Sequence, residues 1–181
     1  MLGASNHSKL KRVEHDFYAT DPKTIDDLFK VEDFNKEILE PACGEGHLSK
    51  KIKSKGFNVT SSDLIGRGFG EVKDFFDYKK WHGDIITNPP YKHAEKFVKH
   101  SLNIVNDKAK VAMFLKITFL ESQGRRGMFL KNPPKTIYVY SKRQKVARNG
   151  DPAAFKKSSA ICYCWFVWEK GNKKDPVVKW I

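Results

Sequence analysis

Residues 36–63 constrain the fold of this chain more than any other stretch. A short apolar-centred segment at 36–40 is followed by a glycine turn, a polar-apolar helical pattern at 47–56, and a second strand pattern at 57–63. A helix that connects two strands of this length crosses over the sheet and leaves the strands parallel. The sequence therefore predicts a βαβ unit and, with it, a largely parallel sheet.

The remainder of the chain continues the alternation of strands and helices. Further strands are predicted at 83–87, 111–115, 136–140 and 160–169, and helices at about 94–105 and directly after Pro22. The segments 121–135 and 143–158 are polar and basic, and they are predicted to be loops. This order predicts an α/β fold with a mostly parallel sheet and an antiparallel edge strand.

Length and composition are typical of one globular domain spanning residues 1–181, with 1–15 as a flexible arm. The chain has 181 residues, of which 40% are hydrophobic, and no apolar run is long enough to span a membrane. Its three cysteines, Cys43, Cys162 and Cys164, lack metal-ligand spacing, so no metal site is expected. Unpaired cysteines and the absence of a secretory signal predict a reduced, cytoplasmic protein.

Positive charge is concentrated in the second part of the chain. The formal net charge is +13, and residues 121–181 hold 14 Lys/Arg against 4 Asp/Glu. Such a field suits a polyanion, and nucleic acid is the predicted partner, although a merely basic soluble surface would have the same composition. The cations predicted to contact a nucleic-acid backbone are Arg125, Arg126, Arg143, Arg148, Lys156 and Lys157.

Four features fall at the carboxyl ends of predicted strands: Glu40, the Gly44/Gly46 turn, Asp63 and Asn88. Ligands of open α/β sheets bind at this edge. The glycines allow close approach of a ligand to the backbone, and an acidic side chain placed like Asp63 can accept the two hydroxyls of a ribose. The turn lacks the Lys-Ser/Thr of a phosphate-binding loop, which disfavours nucleoside triphosphates.

Strand 83–87 ends in Asn88-Pro89-Pro90-Tyr91. The two prolines fix their φ angles and stiffen the turn, so that the acceptor oxygen of Asn88 is held in place beside the flat ring of Tyr91. A rigid acceptor next to an aromatic ring could grip a planar amino group. Taken alone, the four residues are equally consistent with an ordinary Asn-Pro turn.

The segment Asp74-Phe75-Phe76-Asp77 also has two interpretations. Asp74 could accept from the amino group of an adenine ring while one of the two phenylalanines packs on its face. The segment could equally be an amphipathic turn that buries one phenylalanine.

The Glu40–Gly46 turn followed by Asn88–Tyr91 resembles the S-adenosylmethionine-dependent DNA adenine-N6 methyltransferases. The resemblance covers most of residues 15–170, and the small size and closing strand are similar to prophage-encoded members. It implies a three-layer, Rossmann-like class I methyltransferase fold. It also implies methyl transfer to a flipped adenine held by Asn88, Pro89, Pro90 and Tyr91. The residues implied to line the cofactor are Phe17, Tyr18, Thr20, Glu40, Pro41, Ala42, Cys43, Gly44, Gly46, Asp63, Leu64, Asp74, Phe75 and Asn88.

The chain departs from that family in one respect, since no insertion is long enough for a target-recognition domain. Specificity would then be low, rest on 121–135 and 143–158, or require an accessory subunit or a homo-oligomer. An RNA adenine methyltransferase would share the same site chemistry. A protein glutamine methyltransferase also uses Asn-Pro-Pro-Tyr, and a non-catalytic nucleic-acid-binding module is a further alternative.

Overall fold

The computed structural model describes residues 18–144, 146–148 and 161–181, without the side chains of Tyr18, Ala19 and 146–148. In chain order its strands are β1 (Tyr18–Thr20), β2 (Glu37–Glu40), β3 (Asn58–Asp63), β4 (Glu71–Val72), β5 (Asp84–Thr87), β6 (Lys110–Lys116), β7 (Thr136–Val139), β8 (Val146–Arg148), β9 (Tyr163–Glu169) and β10 (Val177–Trp180). The α-helices are α1 (Lys23–Val31), α2 (His47–Ser54), α3 (Ala94–Ile104) and α4 (Gln123–Lys131).

Eight strands form one sheet in the order β10-β7-β9-β6-β5-β2-β3-β4. All neighbouring pairs are parallel except those made by β9, which runs antiparallel to both β6 and β7. The predicted α/β fold with a mostly parallel sheet is confirmed. The antiparallel strand β9, however, lies inside the sheet and not at its edge, because it pairs with β6 on one side and with β7 on the other.

Both faces of the sheet are buried, and successive residues of each central strand face opposite sides. Leu39, Ile85 and Met113 pack with α3 on one side, whereas their neighbours Ile38 and Ile86 pack with α1 and α2 on the other. Burial on both faces explains the near-continuous apolar runs of the central strands.

The amino ends of the central strands are joined through one buried carboxylate. Asp84 is 1% exposed. It accepts hydrogen bonds from the backbone N–H and side-chain amide of Asn35 and from the N–H of Lys110, at 2.7–2.8 Å. The segment before β2 and the start of β6 are thereby tied to β5, which places the opposite, carboxyl ends of these strands beside one another.

Two segments that were predicted to be loops contain regular structure. The predicted loop at 121–135 contains helix α4. The apolar pattern of this helix is weak, since Met128 is its only buried residue. Strand β8, inside the predicted loop at 143–158, pairs with β1 in a separate two-stranded antiparallel ribbon, with Thr20 opposite Val146.

Within the described part of the chain, no helix has the length and apolarity needed to cross a membrane.

Candidate functional site

The carboxyl ends of β2, β3, β5 and β6 form one rim, as the sequence predicts. The rim is joined by hydrogen bonds between consecutive units: the N–H of Cys43 donates to the carbonyl of Ser62, and the N–H of Gly44 donates to the Asp63 carboxylate at 2.8 Å. The glycine turn after β2 and the acidic end of β3 are therefore in direct contact.

The glycine turn adopts backbone angles that favour glycine. Gly44 and Gly46 have φ values of 54° and 80°. Pro41 and Cys43 are buried and Ala42 is half-buried, so the turn is packed into the protein and leads directly into α2.

Asp63 has backbone donors on both carboxylate oxygens. Oδ2 accepts from Gly44, and Oδ1 accepts from the N–H of Ile65 at 3.0 Å. These two bonds fix the carboxylate at the rim, and a carboxylate has about four acceptor positions in total, so further donors can be accommodated. Leu64, the next residue, is 59% exposed at the same edge.

Glu40 lies beneath the turn. Its side chain is 2% exposed, and it accepts a hydrogen bond from the hydroxyl of Ser49 on α2, which itself lies 2.6 Å from the hydroxyl of Ser61. Burial raises the pKa of Glu40 to about 8. Burial, followed by the charges of Glu40 and Asp63, raises the pKa of the Cys43 thiol to about 12, which makes this thiol a packing group and not a nucleophile.

The loop between β3 and β4 is part of this region, although the sequence analysis assigned it no function. A Cβ on Gly46 would lie 2.3 Å from the ring of Phe69, and one on Gly70 would lie 2.8 Å from the Cys43 sulfur. Gly46 is therefore required for packing against Phe69, whereas the sequence suggested only close approach of a ligand. The alternating glycines around Phe69 were the signal that could have identified this contact.

The Asp74 segment forms a 3₁₀ turn at Phe75–Asp77. Asp74 caps it by accepting from the N–H of Phe76 at 2.9 Å. Phe75 is 2% exposed and packs on Phe97 and His100, whereas Phe76 is 37% exposed. The segment therefore buries one of its two phenylalanines in the core, and contact of Phe75 with the cofactor stays a prediction.

The Asn88–Tyr91 turn follows β5 at the rim. Pro89 is buried, Pro90 is exposed, and Asn88 and Tyr91 are half-buried. The side-chain Nδ2 of Asn88 donates to the hydroxyl oxygen of Thr20 at 2.8 Å. Thr20, implied by the resemblance to lie at the methionine end of the cofactor, thus contacts the predicted catalytic asparagine.

The ring of Tyr91 has an aromatic and a cationic neighbour. The Tyr163 ring lies 6.1 Å away, and the Lys116 ammonium lies 4.9 Å from the centroid of the Tyr91 ring. Lys116 is the last residue of β6, so it reaches the rim from the strand next to β5. Lys116 was not predicted from the sequence, because a lysine that ends an apolar strand has no distinguishing local pattern.

The predicted nucleic-acid contacts are only partly described. Arg125 donates to the carbonyls of Phe119, Thr118 and Glu121 and stacks on the Phe119 ring, so it holds the preceding 3₁₀ turn together. Of the other cations, Arg126 and Arg143 are exposed, the side chain of Arg148 is not described, and Lys156 and Lys157 lie outside the described residues. Among the residues implied to line the cofactor, Phe17 and the side chain of Tyr18 also lie outside the described part of the chain.

Solved structures with related folds include three from different sources. A protein from Listeria monocytogenes, proposed to be a class I S-adenosylmethionine-dependent methyltransferase, aligns with a TM-score of 0.57 at 13% identity, over 88% of this chain and 64% of that one. The modification subunit of a proposed type I restriction enzyme from Vibrio vulnificus YJ016 has a TM-score of 0.60 at 13% identity, over 91% and 47%. A proposed RNA methyltransferase from Pyrococcus horikoshii has a TM-score of 0.54 at 15% identity, over 82% and 80%.

The chain has the class I methyltransferase fold. The identities are low, so the likeness concerns the fold alone. The chain spans less than two thirds of the length of the Listeria and Vibrio proteins. No protein-family model matches the sequence, and a search of curated proteins finds no match.

Proposed function

We propose that this protein transfers a methyl group from S-adenosylmethionine to the N6 amino group of adenine in DNA. The observation that carries the proposal is the position of Asn88-Pro89-Pro90-Tyr91 on the carboxyl rim of a class I methyltransferase sheet, where β2 and β3 also bring Gly44 and Asp63 into contact. An amine-gripping turn and a nucleoside-binding turn on one rim are the two parts that methyl transfer to an amine requires.

The cofactor would bind at the part of the rim formed by the ends of β2 and β3. Asp63 would accept the ribose hydroxyls, with its carboxylate already oriented by Gly44 and Ile65, and Asp74 would accept from the adenine amino group. Glu40 is 2% exposed beneath the turn, so its contribution is to shape and support the turn and not to contact the ligand directly. S-adenosylmethionine supplies a methyl group that is already activated on a cationic sulfur, so the protein needs neither a metal nor a strong base.

The chain's own contribution is to position the amine. The Asn88 side-chain oxygen and the Pro89 carbonyl would accept hydrogen bonds from the target amino group, which draws the nitrogen lone pair out of conjugation with the ring. Tyr91 would stack on the extruded base, as enzymes that modify bases require. The Lys116 ammonium, 4.9 Å from the Tyr91 ring centroid, adds positive charge where the backbone of an extruded nucleotide would pass.

DNA is the favoured substrate because of the charge of residues 121–181 and the resemblance of the motifs. We place target selection on 121–135 and 143–158 or on an accessory subunit. The main alternative is adenine in RNA, since the Pyrococcus neighbour is described as an RNA methyltransferase and the site chemistry would be the same.

The proposal is tested by incubating the protein with radiolabelled S-adenosylmethionine and separate DNA, RNA and protein substrates. The expected product is N6-methyladenine in DNA. Label found only in RNA would show that the substrate is RNA and not DNA. Label found only on protein glutamine would show that the protein is a protein methyltransferase. Failure of the chain to bind S-adenosylmethionine by calorimetry would favour the non-catalytic module.

A further inference from the structure

One tertiary hydrogen bond connects the segment before the first helix to the catalytic turn. The Nδ2 of Asn88 lies 2.8 Å from the Thr20 hydroxyl oxygen, and the two residues are 68 positions apart in sequence. Thr20 is 3% exposed, so its hydroxyl is held within the protein and not in solvent.

The local structure leaves the Thr20 hydroxyl available for this contact. At the start of α1, the free N–H donors are bound by Asp21. Its carboxylate accepts from the N–H of Lys23, and its carbonyl accepts from both the N–H and the hydroxyl of Thr24. Thr20 itself is fixed by the ribbon, in which it pairs with Val146. The helix cap therefore does not compete for the hydroxyl.

The contact has a chemical consequence for the proposed reaction. An asparagine amide presents an acceptor oxygen at one end and a donor NH₂ at the other. Only the oxygen can accept a hydrogen bond from a target amino group. A threonine hydroxyl can accept from the NH₂ end or donate to the oxygen end; in the structure it accepts from the NH₂ end, which directs the Asn88 oxygen away from Thr20.

We propose that Thr20 is a positioning residue that holds the Asn88 amide in the orientation seen in the structure, with the NH₂ end bound to Thr20 and the oxygen end left to accept from the target amine. The inference rests on the proposed function. It differs from the role that the resemblance implies for Thr20, namely contact with the methionine end of the cofactor.

The test compares Thr20→Val, which keeps the shape and removes the hydroxyl, with Thr20→Ser, which keeps the hydroxyl. Loss of the hydrogen bond from Asn88 to the Thr20 hydroxyl should lower kcat for methyl transfer about 5- to 100-fold in Thr20→Val, with the KM for S-adenosylmethionine changed less than about twofold. Thr20→Ser should recover most of kcat. In an Asn88→Ala background, Thr20→Val should have little further effect, because the amide it orients is gone.

A second readout does not depend on turnover. The side-chain NH₂ resonances of Asn88 in a ¹H–¹⁵N spectrum should shift in Thr20→Val and return towards their original positions in Thr20→Ser. A raised KM for S-adenosylmethionine with unchanged kcat would overturn the inference in favour of cofactor contact. Equal kcat in the Val variant and the unmodified chain would overturn this inference alone, whereas absence of methyl transfer by the unmodified chain would overturn the proposed function with it.

Discussion

Replacing Glu40 by glutamine should flatten the pH dependence of stability of the ligand-free protein. Burial raises the pKa of Glu40 to about 8, from a value of 4.5 without the protein environment. Between these values the folded chain holds a proton that the unfolded chain has released. The contribution of this retained proton to the stability of the folded chain is therefore fully present below about pH 4.5, and it is lost as the pH rises through about 8.

The magnitude follows from the separation of the two pKa values. Each full pH unit between them lowers the free energy of unfolding by about 1.4 kcal/mol, and the profile flattens near each pKa, so roughly 3–4 kcal/mol is lost between about pH 5 and pH 8. Glutamine cannot titrate but can still accept the Ser49 hydrogen bond. The Glu40→Gln variant should consequently lack this loss.

The assay is urea unfolding of both proteins at pH values from about 5 to 8. Glu37→Gln is a matched control, because Glu37 is an exposed carboxylate at the other end of the same strand. The control should keep the pH dependence of the unmodified chain. Parallel pH profiles for the unmodified chain and the Glu40→Gln variant would refute the account of Glu40 as a buried, protonated acid.

Three further substitutions test the packing of the rim and the role of its cations. Gly46→Ala should destabilise the protein by about 1–2 kcal/mol from backbone strain alone, with an additional cost from contact with Phe69 that Phe69→Ala relieves, as measured by urea unfolding. Arg125→Ala should lower stability by about 1–2 kcal/mol through lost carbonyl contacts, while Arg126→Ala should stay within about 0.5 kcal/mol in thermal unfolding. Lys116→Met should weaken nucleic-acid binding and reduce the salt slope of the binding constant by about one.

Each of these predictions has a contradicting outcome. Additive costs for Gly46→Ala and Phe69→Ala would show that the ring does not occupy the space above the glycine. If Arg125→Ala left the stability unchanged but weakened nucleic-acid binding, Arg125 would have a nucleic-acid role in place of a structural one. For Lys116, the control is Lys36→Met, since Lys36 also lies over an aromatic ring, at 4.8 Å from the Phe57 centroid, but at the amino end of β2. Equal losses of nucleic-acid affinity in Lys116→Met and Lys36→Met would show that Lys116 contributes only its charge and makes no particular contact at the rim.

The fold was largely predictable because its strands and helices carry strong local signals. The strand–turn–helix–strand unit at 36–63 and the apolar strand at 110–116 are set by hydrophobic pattern and glycine placement, and both lie where expected. Helix α4 was missed because Gly124 and Gly127, with two arginines between them, give it the composition of a loop. The position of β9 between β6 and β7 depends on strand pairing, which local pattern does not encode.

For the site, the sequence could predict which residues share the rim but not which of them touch one another. Asp63 meets the glycine turn as expected, because parallel strands end at one edge of a sheet. Contacts between distant segments, such as Thr20 with Asn88 or Lys116 with Tyr91, depend on tertiary packing and left no local signature. The sequence also could not tell which of the two adjacent phenylalanines is buried, and the structure buries Phe75.

The most direct test of the central claim is transfer of labelled methyl from S-adenosylmethionine to unmethylated DNA by the unmodified chain and by Asn88→Ala. We expect N6-methyladenine in the DNA with the unmodified chain, and a reduction of at least about 100-fold in the Asn88→Ala variant, whose cofactor affinity should change much less. Methylation of DNA that persists unchanged in Asn88→Ala would contradict the account.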